Sequence, residues 1–264
     1  MNRFKMIIPL ILLFYAFGSK AQDLEKYEKG SFIKKTDSIS YRVLFPENFD
    51  DTKKYPILFF LHGRGESGND NQKQLTHGAS LFLKEEFRKQ FPAIVVFPQC
   101  SADSYWANVN IITDSTGKRE FHFREKGEPT RAMKALLGMV DDFLNKPYVD
   151  KKQVYVGGLS MGGMGTYELL RRKPRTFAAA FAICGGDHVA NVQKYRKVPL
   201  WIFHGEKDNV VPMSCSTIIA DQRKVLGNPA KLTLYPEANH NSWDSAFAEP
   251  QLLPWLFSKA KKTR

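Results

Sequence analysis

Ser160 stands in Gly158-Leu159-Ser160-Met161-Gly162, a G-x-S-x-G pentad at the end of the apolar run Val154-Tyr155-Val156. A serine held at a sharp strand-to-helix turn presents its hydroxyl for attack on a carbonyl carbon. Glycines two before and two after it give the backbone room for that turn. The N–H of Met161, at the start of the following helix, is then aimed at the oxyanion that attack creates. The chemistry this pattern offers is acyl transfer through a covalent serine intermediate.

A serine hydroxyl is a weak nucleophile near neutral pH, so it needs a base, and the base needs an orienting acid. Asp208 lies in the loop after the apolar strand that runs from Leu200 to Gly205. His240 lies in the loop after the strand from Lys231 to Tyr235. Their order, serine then acid then histidine, is the one this chemistry takes on an open α/β sheet. Glu206 is the rival acid, and Asp208 is favoured. His204 sits inside a strand run and reads as a packed, hydrogen-bonded residue. His62 precedes a glycine at another strand end and reads as a loop former. His77, His122 and His188 fall before or between the required strands.

A second oxyanion donor is expected after the strand from Tyr55 to Leu61. There His62-Gly63-Arg64-Gly65-Glu66-Ser67-Gly68 lets a backbone amide approach a substrate oxygen. The Arg64 N–H, paired with that of Met161, is the expected oxyanion hole.

These loops must be carried to one edge of a sheet. Tyr41 to Phe45 and Tyr55 to Leu61 read as an N-terminal hairpin with its turn at Asn48–Asp51. A helix is expected within Gln74–Gln90, a strand at Ala93–Phe97 and a helix over Thr130–Leu144, whose apolar residues share one face. Another helix is expected from Met164 to Arg172, and further strands at Phe177–Cys184 and Leu200–Phe203. Right-handed crossovers then predict a mostly parallel sheet with helices on both faces. Residues 22–264 suit one such domain. Ser101 to Glu128 shows no clear period and is expected to be an irregular substrate-facing loop or partial lid. It carries Trp106. Trp243 lies three residues past His240. Both indoles are expected to contact substrate.

Arg3 and Lys5, the apolar stretch Met6–Phe17 and the small-x-small sequence Ser19-Lys20-Ala21 read as a signal peptide over residues 1–21. The mature protein is then exported, periplasmic or secreted, with no stable membrane insertion. The chain carries a formal net charge of +12. Removing Arg3, Lys5 and Lys20, with no acid among them, leaves +9. The cations are scattered apart from the tail at 259–264. No nucleic-acid motif accompanies them, so solvated surface charge is the default reading. Three cysteines leave at least one unpaired in a monomer. In the strand order that the expected fold implies (four, three, five, six), three spacings, about 14 Å, separate Cys100 from Cys184, which disfavours a disulfide between them. Cys184 with Cys215 stays open. No cofactor and no metal site is expected, and the oligomeric state is left open.

Together these residues resemble the α/β-hydrolase superfamily. The likeness is closest to its small esterase and "predicted peptidase" branch, related to dienelactone hydrolases and feruloyl-type carboxylesterases. It rests on the segments from Leu61 to Asn71, Phe97-Pro98-Gln99-Cys100 with Trp106, Gly158 to Gly163, Ile183-Cys184-Gly185-Gly186, Phe203 to Asp208 and His240 to Trp243. It covers roughly Tyr41 to Phe257. The resemblance implies an α/β-hydrolase fold and a serine carboxylesterase. With export, it implies acyl or aromatic esters of polysaccharide fragments as substrates. Peptide or aminoacyl hydrolysis by the same triad, acyl transfer to a sugar and non-catalytic carbohydrate binding are the alternatives.

Overall fold

The computed structural model describes residues 24–262. The expected signal peptide at 1–21 lies outside them. The strands are β1 (Glu28–Lys34), β2 (Asp37–Leu44), β3 (Tyr55–Leu61), β4 (Ile94–Pro98), β5 (Val109–Thr113), β6 (Arg119–Phe123), β7 (Val149–Leu159), β8 (Ala179–Ile183), β9 (Leu200–Gly205) and β10 (Lys231–Tyr235). The α-helices are α1 (Ala79–Leu83), α2 (Glu85–Gln90), α3 (Arg131–Leu144), α4 (Met161–Arg172), α5 (Val192–Tyr195), α6 (Ser214–Val225), α7 (Trp243–Phe247) and α8 (Leu252–Phe257).

Eight strands form one sheet in the order β1-β2-β4-β3-β7-β8-β9-β10. β1, β2 and β4 pair antiparallel, and every pairing from β4 through β10 is parallel. Strands covered on both faces have no polar side to show. This is why β4, β8 and β9 read as unbroken buried runs. One face packs against α3, α4 and α6 through Leu136, Met139, Leu169 and Ile219. The other packs against α1, α2 and α8 through Phe82, Phe87 and Leu256. Thr130 caps α3, its Oγ1 accepting from the Met133 N–H at 3.1 Å.

Three expectations are corrected. Tyr41–Phe45 and Tyr55–Leu61 are not a hairpin. β2 pairs with β1 and β4, because the chain after β2 crosses over and leaves β4 between β2 and β3. The stretch 74–90 is not one helix. Gly78, in the left-handed region at φ 84°, and extended Lys84 divide it. The segment 101–128 is not irregular. Its centre is the β5–β6 hairpin, closed where Asp114 Oδ1 accepts from the amides of Thr116 and Lys118.

Candidate active site

β7 runs straight into α4, and Ser160 is the hinge, at φ 52° and ψ −117°. A serine in that region stores strain that only close packing sustains. A Cβ on Gly162 would stand 1.9 Å from the Leu61 carbonyl oxygen, and one on Gly158 would stand 2.4 Å from that of Gly162. The two glycines flanking Ser160 are therefore required by contact with β3 and with each other.

Ser160 Oγ lies 2.9 Å from His240 Nε2. His240 Nδ1 lies 2.8 Å from Asp208 Oδ2. β7, β9 and β10 thus deliver serine, acid and histidine to one edge as a continuous hydrogen-bonded chain. The Asp208 side chain is fully buried. Burial pushes its carboxyl up, but bonds from His204, His240 and the amides of Val211 and Val210 outweigh that and hold it well below the usual range. Oδ1 accepts from both amides at 2.9 Å. Glu206 is exposed and is not part of this chain.

His204 is the partner that sequence reasoning missed. Its Nε2 lies 2.9 Å from the Val211 carbonyl and 3.2 Å from Asp208 Oδ2. Two acceptors face Nε2, so that nitrogen carries a proton, and the Ser216 hydroxyl meets Nδ1 at 2.7 Å. The available signal was its place four residues before the acid, at the end of the same strand.

Arg64 and Met161 each begin a helical turn, where the first N–H groups have no carbonyl within the turn. The loop carrying Arg64 is tied to the end of β4. His62 Nε2 accepts from the Cys100 N–H at 2.9 Å, and Gln99 Oε1 accepts from the Asn71 N–H at 2.7 Å. Burial lowers the His62 imidazole to about 4, which keeps it a neutral acceptor. The Arg64 guanidinium donates to the carbonyls of Ser104 and Ala102, so it braces the neighbouring loop.

Trp106 does not reach a substrate. It is fully buried, with its ring 5.5 Å from that of His62. The indole sits over Gly165, where an added Cβ would meet Trp106 Cβ at 2.5 Å. Trp243 is half-buried, edge-on to His240 at 5.3 Å and tilted against His77 at 5.2 Å. Other aromatic residues of the 101–128 segment, among them the two phenylalanines of the short Phe121-His122-Phe123 stretch, form a small apolar cluster. Tyr105, Phe121 and Phe123 pack with Met164 and Val211 beside the acid loop. Beyond them a groove of about 590 Å³ opens between β6, the loop after β8 and α6, lined by Phe121, Phe123, Val189 and Ile218 and by polar residues that include Asp187, His188, Thr217 and Asp221.

The ligand atoms of Cys184, Asp208 and His240 lie within 4.8 Å of one another, a set that could hold a metal ion. Two of the three are already bonded to each other. Burial drives the Cys184 thiol far above its usual range, opposing the thiolate that a metal would need. All three cysteines are free, Cys184 and Cys215 included.

A family described as phospholipase/carboxylesterase matches residues 49–251. The chain belongs to that family. It is an α/β-hydrolase. It is 31% identical over 159 residues to a bifunctional acetylxylan esterase/xylanase of Neocallimastix patriciarum, covering 59% of this chain and 20% of that protein. It is 25% identical over 190 residues to a probable feruloyl esterase C of Aspergillus oryzae, covering 72% of this chain and 62% of that protein. The chain therefore spans less than two thirds of either relative. Fungal dipeptidyl-peptidases also match. A solved thermostable esterase superposes with a TM-score of 0.81 at 29% identity, covering 91% of this chain and 64% of that one.

Proposed function

We propose that this protein hydrolyses carboxylic esters with Ser160 as nucleophile, His240 as general base and Asp208 as orienting acid. The observation that carries the reading is the unbroken bond chain from Ser160 Oγ through His240 to Asp208 Oδ2. As Ser160 Oγ attacks the ester carbonyl, its proton passes to His240 Nε2. The Asp208 carboxylate holds Nδ1–H and stabilises the imidazolium. The N–H groups of Arg64 and Met161 receive the oxyanion. Collapse releases the alcohol, protonated by His240, and leaves an acyl-serine. A water deprotonated by His240 then releases the acid and restores the serine.

The substrates proposed are acyl or aromatic esters of polysaccharide fragments. The esterase relatives support this, as do the Phe121 and Phe123 rings packed with Val211 of the acid loop. So does the expected export of a mature single domain at 22–264. The half-exposed indole of Trp243 beside His240 is retained as a substrate contact. Peptide or aminoacyl hydrolysis is the second reading, favoured by the dipeptidyl-peptidase relatives. One screen separates them: the purified protein against short acyl, acetyl-xylan and feruloyl esters and against peptide amides, with Ser160→Ala as blank. Ester turnover that the blank lacks supports the proposal. Turnover of peptide amides alone replaces it with the second reading, and turnover of neither overturns both.

A further inference from the structure

The parallel strands begin at the sheet edge opposite the triad, and there the chain sets an exposed cation beside each start from β3 to β10. Lys54 precedes β3, Lys151 lies in the first residues of β7, and Arg175 precedes β8. Lys197 precedes β9, and Lys231 opens β10. The register puts Tyr55 beside Val149, Tyr155 beside Ala179, Ala180 beside Leu200 and Trp201 beside Lys231. The cations therefore form a row across five neighbouring strands, about 19 Å long at about 4.8 Å per step. The C-terminal segment thickens it. The Lys261 N–H donates to the Lys152 carbonyl at 2.9 Å and its ammonium to the Arg175 carbonyl at 3.2 Å, which brings exposed Lys262 to the same edge.

None of these six cations, Lys54, Lys151, Arg175, Lys197, Lys231 and Lys262, is paired with a carboxylate among the described residues. Of the nearby acids, Asp50 is paired with Lys53, Asp142 with Lys146 and Asp141 with Lys173, while Asp51 and Asp150 lie among the cations, close in the chain to Lys54 and Lys151. Basic residues in the last turns of α4 and α6 answer the negative ends of those helices and are not counted. The six lie outside the helices, although Arg175 and Lys197 closely follow the C-terminal ends of α4 and α5. Elsewhere some cations are paired, Arg131 with Asp103 and Lys207 with Glu237, whereas exposed Lys118, Arg119 and Lys126 on and beside the β5–β6 hairpin are in no ion pair among the described residues. The six cations nevertheless stand in one line at this edge, where together they create an attractive field for a polyanion.

We propose that this edge docks a linear acidic polysaccharide, one bearing carboxylates along its repeating sugars. A row of cations fits a thread-like polyanion. A lipid surface would call for apolar side chains to insert. Of the four large hydrophobics exposed among the described residues, only Val225, at the end of α6 where the chain turns toward β10, lies near the row. A single-stranded nucleic acid would call for open aromatic faces. Here the Trp201 ring is buried and carries the Lys231 ammonium 3.3 Å from its centroid. Docking at this edge leaves the opposite edge, with Ser160, open to ester groups on neighbouring chains. The proposal does not depend on the ester-hydrolase reading.

The test is co-sedimentation of the purified protein with polygalacturonate and with neutral arabinoxylan. Binding to polygalacturonate at low salt is expected, falling at least about tenfold by about 0.3 M salt as screening sets in. No comparable binding to arabinoxylan is expected. A Lys54→Gln, Lys151→Gln, Arg175→Gln, Lys197→Gln variant should bind polygalacturonate at least about tenfold more weakly, with an unchanged melting temperature. Two double variants, Lys54/Lys151 and Arg175/Lys197, keep the test open if the fourfold one does not fold. The control removes the same charge elsewhere, through Lys73→Gln, Lys118→Gln, Arg119→Gln and Lys126→Gln, and should bind as the parent does. Equal losses in both fourfold variants would reduce the effect to net charge and overturn the proposal. So would stronger binding to phosphatidylglycerol vesicles or to poly(dT) than to polygalacturonate. Because the readout is sedimentation, a protein that cleaves no ester can still pass or fail it.

Discussion

His204 Nε2 stands 3.2 Å from Asp208 Oδ2, the same oxygen that meets His240 Nδ1. The acid of the triad is therefore held by two histidines, one from the strand that leads into its loop and one from the loop after β10. Removing the His204 ring leaves Oδ2 with one fewer partner and empties a buried site. His204→Ala is expected to lower kcat/KM by about ten- to a hundredfold as well as the melting temperature. His204→Gln, which keeps an N–H donor, should recover part of the rate. Loss of stability with full activity in the alanine variant would make His204 a packing residue only.

Ser160→Ala is expected to remove about 10⁴-fold or more of turnover while the protein stays folded. A serine-directed phosphonate should label Ser160 alone. Asp208→Asn keeps the shape but disturbs the tautomer of His240, costing roughly 10²- to 10⁴-fold. Glu206→Gln should be close to the parent, because that side chain is exposed and outside the bond chain. A crippled Glu206→Gln beside a mild Asp208→Asn would reassign the acid.

What could be read from the sequence follows from how local each signal is. Gly158, Ser160 and Gly162 are neighbours, and the clash that requires Gly162 involves a strand any parallel sheet would place there. Strand ends at Gly205 and Tyr235 were legible as apolar runs breaking into turn residues, so Asp208 and His240 could be put on one edge. β5 and β6 were missed because five residues of alternation on each side of Asp114 are too short to stand out from charged surroundings. β1 was missed because it is an exposed edge strand, so its sequence carries little apolar signal. The fate of Trp106 was not legible either. It depends on Gly165, in a different element, lacking the side chain that would fill its place.

That burial reverses the expectation for Trp106. Truncating a fully buried indole costs about 3–5 kcal/mol by lost contacts and a cavity. Trp106→Ala should therefore lower the melting temperature sharply and leave the ratio of KM values for a feruloyl ester and a small acetate unchanged. Trp243→Ala is expected to do the opposite, raising KM for the bulky ester more than for the acetate. A selective KM rise in Trp106→Ala at unchanged stability would restore it as a substrate contact.

Asp187 gives a test of stability against pH. It is buried beside the groove, accepting from Asn191 Nδ2, the Tyr195 hydroxyl and the His188 N–H. Burial raises its carboxyl from 3.8 to about 6, against those hydrogen bonds. The native state then holds more protons than the unfolded one between those values, so this group's contribution to stability falls as pH rises through that window. His62 works the other way. Its imidazole falls from 6.5 to about 4, so its contribution grows as pH rises through that range. In the parent protein the two slopes oppose each other. Asp187→Asn removes one slope while keeping a similar shape and a carbonyl acceptor. The variant should gain about 1–3 kcal/mol over the parent at pH 7.5, since each tenfold change in proton affinity is worth about 1.4 kcal/mol. It should show no gain at pH 4, where the parent carboxyl is already protonated. Chemical denaturation of both proteins at the two pH values measures this directly. A loss of similar size at both would mean that the three hydrogen bonds outweigh the burial of the charge.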